Sequence, residues 1–149
     1  MLKRSLAFLL MVTVFTACSK DTGNTKPSLS LRGINGNLFG VNESALRITM
    51  NFKDKEGDLG NGTLTWIRNR LNIIPIDAGS SNDKVDTAAN AIADFPVQSQ
   101  GEIYVDIPYS ILREASDAND TMVFKVFVTD REGNVSDTVT TEKIVATTF

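Results

Sequence analysis

The pattern of this chain predicts an all-β fold, an antiparallel sandwich of about seven strands with one short helical turn. Apolar and polar residues alternate with the period of two that a half-buried strand requires, most clearly over residues 45–52 and 102–107. Clusters of Gly, Asn and Asp separate these runs, and only the PYSILREAS stretch opened by Pro108 carries the signature of a helix start.

The elements follow in order. Leu29, Leu31 and Ile34 alternate with polar neighbours, and Gly33, Gly36 and Gly40 then break the run. Within residues 45–52, Leu46, Ile48, Met50 and Phe52 face one way while Arg47, Thr49 and Asn51 face the other. Residues 63–67 form a third strand around Trp66, the only tryptophan, whose large apolar area makes it a core residue. Residues 71–76 are a short apolar run, and Pro75 confines it to a sheet edge or a strand end. The polar, small-residue stretch 77–94 reads as a mobile excursion without a site. Strand character returns at 102–107, where Ile103, Val105 and Ile107 alternate with Tyr104 and Asp106, and again at 122–129 and 135–146. Residues 130–134, DREGN, read as the hairpin connection between the last two.

Seven such strands suit an immunoglobulin-like or fibronectin III-like sandwich, with Trp66 on the third strand where those folds keep a core tryptophan. The disulfide and the tyrosine corner of that fold are missing, and a small barrel fits the same pattern.

The N-terminus gives an address. Lys3 and Arg4 precede the apolar run Leu6 to Ala17, which ends at Phe15-Thr16-Ala17-Cys18, and these are the parts of a secretory signal. The run is twelve residues long, short of the roughly 20 that a membrane span needs. A cysteine just after small residues resembles the lipobox of bacterial lipoproteins, which implies cleavage after residue 17 and lipid on Cys18. Residues 1–17 are then signal peptide, 18–27 a lipidated flexible tether, and 28–149 the sandwich domain. The resemblance places the mature chain in the cell envelope, held by lipid to the outer membrane, and leaves periplasmic against surface exposure open.

Removing the signal leaves 132 residues, with 13 basic against 18 acidic side chains, a net charge of −5. An acidic surface argues against nucleic acid as a partner. The chain has no histidine, so Ser-His and Cys-His nucleophile pairs and HExxH zinc sites are excluded. Carboxylates such as Asp54, Glu56, Asp58, Asp130 and Glu132 could serve a glycosidase, but a sandwich of this size has little room for a substrate cleft. The expectation is a protein that is not an enzyme.

One stretch is chemically suggestive. Asp54, Glu56 and Asp58 alternate in DKEGDLGNG, among glycines that let the backbone turn, and such oxygen-rich loops suit calcium. It is not an EF-hand loop, because position six is Leu59 and position twelve Thr65. A polar turn closed by Asn61-Gly62 accounts for the same residues without any ion. If residues 45–52 are strand B and 122–129 strand F, the following loops leave at one end of the sandwich, and Asp54, Glu56 and Asp58 face Asp130, Glu132 and Asn134. The candidate calcium ligands are therefore Asp54, Glu56, Asp58, Asp130 and Asn134.

The segments ITMNFKDKEGDLG (48–60) and FKVFVTDREGNVSDTVTT (124–141) resemble Ig-like or cadherin-like modules of Bacteroidota lipoproteins, which pair an acidic DGDLG-like loop with a final F-x-V-x-D-x-x-G-N hairpin. The resemblance implies the sandwich fold and a non-catalytic envelope module. Two roles follow. One is binding of an envelope protein or glycan, or service as an accessory subunit. The other is a structural spacer whose calcium-stabilised loops set geometry at the membrane. An exposed aromatic patch around Tyr104, Tyr109 or residues 82–95 would mark the first role, and a uniformly polar surface the second.

Overall fold

The computed structural model describes residues 26–42, 45–73, 85–113 and 119–148. Cys18, the signal segment and the tether up to residue 25 lie outside the described residues. Nine strands and one helical turn are described: β1 Ser28–Ile34, β2 Leu38–Phe39, β3 Ala45–Lys53, β4 Thr63–Arg70, β5 Val85–Ala91, β6 Gln100–Pro108, α1 Tyr109–Leu112, β7 Asp120–Thr129, β8 Val139–Thr140 and β9 Ile144–Ala146.

The strands form two sheets, β1-β3-β6 and β2-β9-β7-β4-β5, with β8 added to β7. Pairing is antiparallel except where β2 runs parallel to β9. In immunoglobulin lettering these are A-B-E and A′-G-F-C-C′, so the expected sandwich is present with β3 as B and β7 as F.

The alternation seen in the sequence builds the core. Leu46, Ile48, Met50 and Phe52 of β3 face Leu64 and Trp66 of β4 and Met122, Phe124, Val126 and Val128 of β7, all buried. The Trp66 ring meets Phe124 edge-on, with centroids 5.7 Å apart, a geometry that favours the positive ring edge against the negative face. Burial of each large apolar side chain contributes roughly 1.5–3 kcal/mol.

Three elements differ from the sequence expectation. The third strand runs on to Arg70, because Arg68 and Arg70 continue the inward set of Leu64 and Trp66 instead of ending it. Arg68 is fully buried and donates to the Ile111 carbonyl of α1, and Arg70 donates to Asp120 at 2.6 Å in a buried ion pair. Of the excursion assigned to 77–94, residues 77–84 lie outside the described residues, and the rest contains an edge strand, since β5 pairs along β4 from Asn69↔Val85 to Thr63↔Ala91. Its small, mostly exposed side chains gave no apolar alternation to read. The final strand assigned to 135–146 is broken into a bridge at Val135 and the short β8 and β9. There the hydroxyls of Ser136 and Thr141 accept from the Val128 and Phe124 amides, while the Ser136 and Thr141 amides donate back to the Val128 and Phe124 carbonyls. Of the 71–76 run, residues 71–73 are irregular and the remainder lies outside the described residues.

Two changes probe this core. Trp66→Ala should lower stability by about 3–5 kcal/mol, the cost of emptying a large aromatic site, as read by urea unfolding. Asp120→Ala should cost about 3–5 kcal/mol by removing the carboxylate that accepts from the buried Arg70 guanidinium, whereas the double change Arg70→Leu with Asp120→Leu should be close to neutral. Equal losses in the single and double variants would show that the ion pair is not what this end depends on.

Candidate functional site

The loop from β3 to β4 and the turn after β7 meet at one end of the sandwich. The β4–β7 ladder runs from Arg70↔Met122 to Thr63↔Thr129, so the residues just outside it, 54–62 and 130–134, are neighbours. Gly62 is forced at this junction. A Cβ there would fall 2.3 Å from the Thr129 carbonyl oxygen, closer than any side chain allows. The loop is anchored at its start by Asp54 N–H donating to Ser99 O at 2.8 Å, and at its centre by Leu59, which is fully buried. Gly57, at φ 71, turns the chain so that Glu56 and Asp58 do not simply alternate. Asn61, at φ 63, is one of the few residue types that accept this conformation, and its amide donates to Asp94.

Three carboxylates converge here. Asp54, Asp58 and Asp130 are all buried, and each offers an oxygen within 4.8 Å of the other two. Asp54 Oδ2 accepts the Asp58 backbone N–H at 2.9 Å, closing the loop on itself. Asp130 is held by Asn134, whose backbone and side-chain amides donate to Oδ1 and Oδ2 at 2.7 and 2.9 Å. The Arg131 N–H donates to Asp58 O at 3.3 Å and stitches the two loops together. Burial, and then the negative charge of Asp58, push the Asp54 carboxyl above its ordinary value of 3.8.

The five residues named as calcium ligands therefore take different positions. Asp54, Asp58 and Asp130 form the cluster. Glu56 is exposed and lines, with Asp58, Arg131, Glu132 and Asn134, a depression beside it. Asn134 acts as a donor that orients Asp130.

A second surface stands out on the solvent face of sheet β1-β3-β6. Tyr104 is 58% exposed midway along the edge strand β6, opposite Thr49 of β3. The Arg47 guanidinium lies 4.3 Å from its ring centroid and grips Asp106 through two hydrogen bonds of 2.7 Å. That grip holds the Asp106 carboxyl below its ordinary value. Arg32 pairs with Glu102 across the same face. Beside these pairs, Gly33 and Thr49 line a shallow depression. Period-two alternation marked these side chains as outward-facing, but cross-strand register, which the sequence does not display, is what aligns Arg47 with Asp106 and Thr49 with Tyr104. Tyr109, by contrast, is half-buried and donates its hydroxyl to the Thr147 carbonyl, a structural tie.

No family model matches this chain, and no curated protein matches its sequence. Solved structures with a similar shape include the sporulation control protein Spo0M of Bacillus subtilis, at TM-score 0.41 and 10% identity, covering 83% of this chain and 50% of that one. The chain thus spans about half the length of Spo0M. The soluble domain of PmoD from a Methylocystis species aligns at TM-score 0.32 and 11% identity, over 84% of this chain and 94% of that one. AggA, the major subunit of aggregative adherence fimbriae type I of Escherichia coli, aligns at TM-score 0.31 and 11% identity, over 83% and 94%.

The raised pKa of Asp54 gives a signed pH dependence. A carboxyl whose folded pKa lies above its unfolded value favours the fold while protonated. That contribution is complete below the ordinary value of 3.8 and is lost as pH rises through the folded pKa. In chelator-treated buffer, the wild-type melting temperature should therefore fall relative to Asp54→Asn as pH rises from about 4 to 7.5. A constant difference between the two proteins across that window would refute the assignment.

Proposed function

We propose that this chain is a non-catalytic module of the cell envelope, anchored by lipid on Cys18, that binds a glycan through the solvent face of sheet β1-β3-β6. The observation that carries this reading is an exposed aromatic ring held in place by a bidentate ion pair, Tyr104 under the Arg47–Asp106 clamp. A polyhydroxylated ligand offers paired donors and acceptors, which carboxylates, guanidiniums and a threonine hydroxyl can meet. The apolar C–H faces of a sugar ring can in turn rest on tyrosine. A protein hot spot would instead be centred on a desolvated apolar anchor, and the β3 residues beside Tyr104 on this face, Arg47, Thr49 and Asn51, are polar.

The placement of the chain start supports the same reading. Ser28 pairs with Lys53, so β1 begins beside the acidic end, where Lys26 also meets Asp137 at 2.6 Å. Eight Cα-to-Cα steps lead from Cys18 to Lys26, a reach of at most about 29 Å. With lipid on Cys18, the acidic end faces the membrane and the Tyr104 face stands free along the flank of the sandwich.

Two measurements test the reading. Cys18→Ser should shift the protein out of the membrane fraction or leave its signal uncleaved, and recovery of unmodified Cys18 from the mature wild-type protein would overturn the anchor. The lipidated protein should be retained on envelope polysaccharide, and Tyr104→Ala or Arg47→Ala should weaken retention by about tenfold or more. Undiminished retention by both variants would remove this face as the binding surface, and capture of envelope proteins alone would replace the glycan with a protein partner.

A further inference from the structure

We propose that Asp54, Asp58 and Asp130 form a binding site for a hard divalent cation, with calcium preferred. Convergence of three buried carboxylates within 4.8 Å is the first observation. The second is independent of the clustering: among the described residues, Asp54 Oδ1 and Asp58 Oδ1 are buried without a hydrogen-bond partner, on residues only 1% and 7% exposed. Buried polar atoms in native proteins are satisfied in the great majority of cases, and leaving an ionised oxygen unsatisfied is costlier than leaving a neutral one. A cation between the carboxylates satisfies both oxygens and cancels the mutual repulsion of the three charges.

The rest of the site is arranged for the same end. Asp54 Oδ2 is committed to the Asp58 amide, which fixes the side chain and leaves Oδ1 to the cluster. The two Asn134 donors orient Asp130, and each of its oxygens keeps a further lone pair. An all-oxygen, carboxylate-rich donor set suits calcium or magnesium, not the softer metals that select imidazole or thiolate. Calcium, with bonds of ~2.3–2.6 Å, can share ligands up to about 5 Å apart. Magnesium, at ~2.0–2.1 Å, spans only about 4 Å and demands octahedral geometry. The preference for the larger ion rests on the donors themselves, since carboxylates on two irregular loops make the flexible all-protein oxygen cage that calcium accepts and magnesium resists. The depression lined by Glu56, Arg131 and Glu132 gives the ion its entry and leaves room for coordinating water. This site does not depend on the glycan-binding reading, and its test has a separate readout.

The test is calorimetric titration of the full mature protein in detergent with calcium chloride alone. The expected result is binding at one site, with a dissociation constant of about 0.1–1 mM, and a melting temperature raised by about 2–5 °C at ~2 mM calcium. Magnesium should give at most a tenth of that affinity. Asp54→Asn with Asp58→Asn should abolish both responses without lowering the melting temperature in chelator. If that double variant does not fold, Asp58→Asn alone should weaken calcium at least tenfold. Absence of binding by the wild type up to ~5 mM, or an undiminished response in Asp58→Asn, overturns the site, and equal affinity for magnesium overturns the preference.

Discussion

The register of β4 against β7 is the constraint on which the rest of the molecule depends. These two strands form the middle of the larger sheet, and every inward residue of both is buried. Because side chains alternate, a slip of one residue would turn Trp66 away from Phe124 and carry Arg70 out of reach of Asp120. The same slip would part the two loops at the other end. Gly62 sits against the Thr129 carbonyl, with space for no Cβ, so the loop carrying Asp54 and Asp58 can close on Asp130 only when Thr63 pairs with Thr129. The core and the acidic cluster are thus consequences of one ladder.

The two ends of that ladder bury charge in different company, opposite charges at one and like charges at the other. At the far end β4 turns two arginines inward, and each has an acceptor: the Ile111 carbonyl for Arg68 and the Asp120 carboxylate for Arg70. Buried charges in this form are tolerated because desolvation is offset by attraction and hydrogen bonding. At the near end the charges are alike, and among the described residues two of their oxygens have no hydrogen-bond partner. Burial there raises the Asp54 pKa instead of being compensated. A sequence selected for stability alone would replace such a cluster with apolar residues, and departures of this kind concentrate where a protein has something to bind.

What the sequence could show follows from what each element depends on. β3, β6 and β7 take their pattern from one face packed on a core, so Leu46 to Phe52, Ile103 to Ile107 and Met122 to Val128 were legible as alternation. The far half of β4 was not, because a charged side chain reads as solvated, and only the partners at Ile111 and Asp120 make Arg68 and Arg70 interior residues. The edge strand β5 was hidden for the opposite reason. Residues such as Ala88, Ala89 and Asn90 carry little strand preference, and their conformation comes from the β4 backbone beside them. At the acidic end, topology alone set the two loops side by side. It could not tell Glu56 from Asp58, because Gly57 at φ 71 breaks the alternation and sends one carboxylate outward and the other inward.

The two candidate surfaces are joined by β3 yet are mechanically separate. Arg47, Thr49 and their partners Asp106 and Tyr104 rest on the β3–β6 ladder, which pairs without interruption from Ala45↔Pro108 to Lys53↔Gln100. Asp54 begins where that ladder ends, and its backbone N–H continues the pairing once more, to Ser99 O. A change in the acidic loop therefore reaches the platform only through the terminal rungs of a ladder, and ladders fray from their ends inward. The clamp on Tyr104 lies nearer the opposite end, and none of the described hydrogen bonds that form it involves the loop. Loss of the carboxylates should for that reason leave the exposed ring and its guanidinium in place. A cation at the near end, as proposed, would stiffen the side where the chain enters, while the Tyr104 face keeps its shape from β-pairing alone.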